Sequence, residues 1–154
     1  MGLFRRIFGG NESIANPVKP QRLDYLNEAL SLERAGDFDA AIVSYRLALR
    51  DHPNDPRILQ NLAIAQSRTG KTEDAIRHYR RALELDGTLA GAHYGLAFLL
   101  LRRGENEGAV KHLRAFLGNP PKGPEGARWV EHAAEALHQL EALPPPAAAG
   151  MEGA

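Results

Sequence analysis

The chain has 154 residues and no cysteine. That removes disulfides, thiolate nucleophiles and thiolate zinc sites, and it permits a reducing compartment. It has no excess of either charge: 19 Lys and Arg stand against 19 Asp and Glu. A dedicated nucleic-acid binder needs a basic stripe to displace counterions from phosphate, so that class is not expected. The balance holds locally, with 16 basic and 17 acidic side chains over residues 22–143. Only the first 21 residues lean positive, Arg5, Arg6 and Lys19 against Glu12. No apolar run approaches the roughly 18 residues of a membrane span. The two early arginines are followed by no long apolar stretch, so no secretory signal is expected. A cytoplasmic protein is the expectation that remains.

Catalytic signatures are missing as well. There is no serine nucleophile elbow, no phosphate-cradling Walker-type loop and no dinucleotide glycine pattern. The glycines of 118–126 lie in a proline-rich connector rather than between a strand and a helix. Six histidines (His52, His78, His93, His112, His132, His138) invite a metal, yet none forms an i, i+4 pair with a third ligand nearby in sequence. They read as solvated or groove-edge side chains. Glu73, Asp74, Glu105 and Glu107 begin helices, where carboxylates complement the macrodipole. The expectation is a protein that is not an enzyme, with no metal, no cofactor and no small-molecule substrate.

What is present is repetition. Gly36, Gly70 and Gly104 stand 34 residues apart, and each is preceded seven residues earlier by Ala29, Ala63 or Ala97. Five residues after each glycine come Ala41, Ala75 and Ala109, followed at once by Ile42, Ile76 and Val110. A fixed period of this length means stacked supersecondary units rather than one globular core. Between the glycines the apolar spacing is helical. Phe38, Ala41, Ile42, Tyr45, Ala48 and Leu49 form one stripe, and Ala75, Ile76, Tyr79, Ala82 and Leu83 form the next. Asp37 is placed to cap a helix, and Pro53 closes the first unit because proline cannot continue one.

The pattern of Ala29, Gly36, Phe38, Ala41, Tyr45, Ala48 and Pro53 resembles the tetratricopeptide repeat family. The resemblance implies an all-α, right-handed α-solenoid of helix-turn-helix repeats over 22–55, 56–89 and 90–123. Three positions depart from it. Gly87 stands for a proline, Glu28 for a leucine and Phe116 for an alanine. Because the last repeat leaves an open apolar face, a capping helix is expected over 124–143. Its stripe is Trp129, Val130, Ala133, Leu137 and Leu140, with Trp129 expected beside Phe116.

In that family the first helix of each hairpin lines a groove. Carried over, the peptide-binding residues are Leu26, Asn27, Leu30 and Arg34 in the first repeat. The second gives Gln60, Asn61, Ile64 and Arg68, and the third gives Tyr94, Phe98, Leu101 and Arg102. They predict a contiguous apolar strip edged by an arginine row, and such patches mark interaction sites. The family's carboxylate clamp for chaperone tails needs cations where this chain has Leu26, Gly91 and Gly95, so no such clamp is expected.

Residues 1–21 are read as a flexible leader and 144–154 as a low-complexity tail. Within the leader, Leu3, Phe4, Ile7 and Phe8 would share one helical face opposite Arg5 and Arg6. Two turns are marginal in water, so that segment would fold only on a surface. It would dock on a membrane, a partner or the protein's own groove, or stay unstructured. The functional expectation is an adaptor binding a peptide or amphipathic helix of another protein. The alternatives are a self-assembling component and a factor recruited to a membrane through the leader.

Overall fold

The computed structural model describes residues 24–144, and the leader segment with Leu3, Phe4, Ile7 and Phe8 lies outside them. Seven helices make up the described part: α1 Tyr25–Arg34, α2 Phe38–Asp51, α3 Pro56–Arg68, α4 Thr72–Leu85, α5 Ala90–Arg102, α6 Asn106–Gly118 and α7 Pro124–Glu141. They pair as three hairpins, α1 with α2, α3 with α4 and α5 with α6, and α7 packs on the last.

The starts and turns follow from single residues. Asp24 and Asp37 accept from the backbone N–H three residues on, each at 3.1 Å, and Asp55 accepts from Arg57 at 2.9 Å just before Pro56. These aspartates satisfy amides that a helix start would otherwise leave orphaned. Gly36, Gly70 and Gly104 take φ of 79°, 75° and 77°. The next residue then reaches back, Asp37 to Leu32, Lys71 to Gln66 and Glu105 to Leu100, each at 2.9 Å. This is the Schellman closure, for which glycine supplies the left-handed conformation. One turn chemistry repeated three times gives three like hairpins.

Inside each hairpin the facing alanines set the spacing. Ala29 and Ala41, Ala63 and Ala75, and Ala97 and Ala109 have no exposed surface, so two backbones approach with no bulky side chain between them. The core is a series of clusters, not one centre. The first joins Ala29, Ala41, Ile42, Tyr45, Ile58 and Leu62, and the second gathers Ala63, Ile76, Tyr79, Leu96 and Leu100. The third, built on Ala97, Leu113, Phe116 and Ala133, is closed by α7.

One expectation at that end needs correction. Phe116 is fully buried, but Trp129 is 44% exposed. The two do not pair. The Tyr94 ring lies with its centroid 5.2 Å from Phe116 and 4.7 Å from Trp129. Ala133 is the residue of α7 fully buried in the interface core, with Val130, Leu137 and Leu140 packed against it. A side chain that small lets the helix come close, and Phe116 fills the remaining space, so the indole is left at the rim.

Candidate functional site

The side formed by α1, α3 and α5 has two chemically different edges. Each of these helices ends in an exposed arginine: Arg34, Arg68 and Arg102. Among the described residues none of the three has a carboxylate within ion-pair distance. At the opposite ends of α1 and α3 lie Asp24, Asp51 and Asp55, around a cleft of about 340 Å³ that also takes in Leu26. One edge carries the arginine row with Glu33 beside it, and the other carries the three aspartates with Arg57 beside Asp55.

Leu30, Arg34, Ile64 and Arg68 come together around one cavity of about 360 Å³, completed by Glu33 and Phe38. Glu33 is already engaged, since the Tyr45 hydroxyl donates to its Oε2 at 2.5 Å. Burial, and then this carboxylate, push the Tyr45 phenol far above its ordinary value. The Arg68 guanidinium lies 5.9 Å from the centroid of the Phe38 ring, within range of a cation–π contact. Glu33 is a groove position by the family resemblance, whereas Phe38 does not stand out in sequence as a site residue because it belongs to the core stripe of α2.

The other expected groove residues are distributed as follows. Asn27 is exposed and donates through Nδ2 to Asp24 at 2.5 Å, and Asn61 is half-buried. Gln60 lies against α5 at Gly91, where an added Cβ would stand 3.1 Å from the amide, and its Oε1 is buried with no partner among the described residues. Leu101 packs partly into the core of the second cluster.

At the third repeat the strip is interrupted. His132 of α7 stacks on Phe98 at 4.4 Å with the rings 3° from parallel, and its Nδ1 stands 2.5 Å from the Tyr94 hydroxyl. Trp129 covers Tyr94 from the same helix. The capping helix occupies the place of a further first helix, so its side chains reach over α5. The strip expected from the sequence is therefore half-buried throughout, aliphatic at the first two repeats and, at the third, aromatic and stacked upon by Trp129 and His132. The sequence places His132 on the wet face of α7. Phe98, the residue it stacks on, is assigned to the groove, and nothing in the pattern joins the two.

Sequence reasoning also missed a histidine pair within the third hairpin. His93 Nδ1 and His112 Nδ1 are 2.9 Å apart, and His93 Nε2 is 2.8 Å from the Gly87 carbonyl. A carbonyl only accepts, so His93 carries its proton on Nε2 and His112 donates from Nδ1. Burial foremost, then His93, Lys111 and Arg80, press His112 down from 6.5 to about 4. The hairpin register holds the signal: these positions correspond to Leu59 with His78 one repeat earlier and to Tyr25 with Ser44 two repeats earlier. Among the described residues no group of three His, Cys, Asp or Glu is arranged to hold a metal. No helix there is long and apolar enough to cross a membrane.

A stack of like hairpins with a two-edged inner side is the architecture of helical-repeat solenoids, which present extended concave surfaces. The tetratricopeptide repeat family model matches residues 26–90 and again 61–124. The chain belongs to that family. No curated protein matches its sequence. Solved structures resemble it in fold. The type III secretion chaperone SycD of Yersinia enterocolitica, in complex with a peptide of the translocator YopD, is 18% identical with TM-score 0.70, over 76% of this chain and 89% of that one. The TPR2B domain of yeast Sti1, in a complex with pHsp70, is 19% identical with TM-score 0.66, over 76% and 93%. The TPR domain of Sgt2 from Aspergillus fumigatus is 22% identical with TM-score 0.63, over 84% and 88%.

Proposed function

We propose that the protein is a non-catalytic adaptor that binds a segment of another protein along the α1–α3–α5 side. The observation that carries this reading is the row of exposed arginines beside half-buried Leu30 and Ile64, a combination that core packing does not require. Two of the similar structures hold protein ligands, a YopD peptide on SycD and pHsp70 on Sti1, and this supports binding of a protein segment here. We place the activity in the cytosol, a location compatible with a chain free of cysteine.

Site-specific photo-crosslinking tests the reading without disturbing the core. A photoreactive residue at Arg34, Asn61 or Arg102 should link to a co-purifying protein. The same residue at Val43 or Arg46, exposed on α2, should not. Crosslinks from the α2 positions alone would reject the adaptor reading.

A further inference from the structure

The three hairpins repeat, but their junctions do not. Between the first two, the cavity bounded by Leu30, Glu33, Arg34, Phe38, Ile64 and Arg68 has an aromatic floor and an arginine on each side. One repeat on, the residue in the place of Phe38 is Thr72, and in the third it is Asn106. Phe98, which stands in the place of Ile64, has one face taken by the stacked His132 ring. Only the first junction combines apolar walls, an aromatic floor and two arginines.

We propose that this junction is the anchor site of the adaptor, and that it takes an apolar side chain flanked by carboxylates. The inference rests on the adaptor reading and specifies the partner's chemistry. Leu30, Ile64 and Phe38 supply apolar walls, which favour an aliphatic or aromatic side chain leaving water. Arg34 and Arg68 present forked donors suited to carboxylate oxygens. The one acid of the cavity, Glu33, has one oxygen held by the Tyr45 hydroxyl and forms no ion pair with either arginine among the described residues. Asp24, Asp51 and Asp55 at the far ends of the helices repel an acidic flank, so charge complementarity seats it on the arginine edge. A basic flank is disfavoured at this edge by the same charges.

The test is an NMR titration of the full chain with three acetylated peptides: Glu-Leu-Phe-Glu, Gln-Leu-Phe-Gln and Lys-Leu-Phe-Lys. The acidic peptide should bind at least about tenfold more tightly than the neutral one, with affinity falling as salt rises. Its shifts should centre on residues 30–38 and 64–68, and the lysine peptide should produce none there. Arg34→Gln with Arg68→Gln, both at exposed positions, should abolish the preference for the acidic peptide. Phe38→Thr, which copies the next junction, should weaken acidic and neutral peptides alike. Equal binding of acidic and neutral peptides overturns the proposal, as do shifts centred on Trp129 and His132 or silence from all three. If crosslinks still form at Arg34, Asn61 or Arg102 while the peptides show no preference, the adaptor reading stands and this anchor falls.

Discussion

Gly91 and Gly95 both lie inside α5, where glycine costs about 1 kcal/mol of helix propensity against alanine. They answer to different neighbours. A Cβ at Gly95 would stand 2.3 Å from the Tyr79 hydroxyl and 2.4 Å from the ring carbon that bears it. Tyr79 is 2% exposed and has nowhere to retreat. Gly95→Ala should therefore lower stability by about 1–3 kcal/mol, the usual cost of overfilling a packed core. At Gly91 the added carbon meets only the soft end of Gln60. Gly91→Ala should be neutral or stabilising by up to about 1 kcal/mol. Urea midpoints of the two variants check this directly, and a Gly95→Ala protein as stable as the parent would contradict the packing described. The sequence shows both glycines but not the difference between them, because Tyr79 belongs to another hairpin and its reach depends on how the two stack.

The helices themselves were the legible part. Asp37, Gly36 and the alanine pairs announce a start, a stop and a crossing by local chemistry alone, and each appears where that chemistry places it. What stayed hidden are contacts between elements whose register is set by packing. The His93–His112 pair, the His132 stack on Phe98 and the retreat of Trp129 to the rim are of this kind. The docking of α7 makes the point measurable. Phe116 has no exposed surface, so Phe116→Ala should cost about 3–5 kcal/mol through lost burial and a cavity. Trp129→Ala removes a half-exposed ring and its stacking on Tyr94, for about 1 kcal/mol. Thermal melts of the two variants separate these roles. Equal losses would mean that the indole secures α7 as much as the phenyl ring does.

At the scale of the whole molecule, the stability of an array is a sum over units and their junctions, so weakening one hairpin propagates. His112 gives such a handle through pH. Its folded-state value is held down at about 4, whereas an unfolded chain titrates near 6.5. Below about pH 6.5 the unfolded chain takes up a proton that the native hairpin refuses, so stability falls as pH drops and levels off below about 4. His78, also lowered chiefly by burial, acts in the same direction. Because the His112 ring is only partly shielded from solvent, the loss by about pH 5 should be on the order of 1 kcal/mol, or roughly 4 °C in Tm. His112→Gln should flatten the dependence. An unchanged slope in that variant would place the proton uptake elsewhere.

A periodic surface gives a bound segment no origin, since sliding by one unit meets the same contacts again. Phe38 followed by Thr72 breaks that translational equivalence, and the covering of Phe98 by His132 breaks it once more. On the proposed anchor, a bound segment would be phased from one end of the array, with a single starting notch from which every later contact is counted.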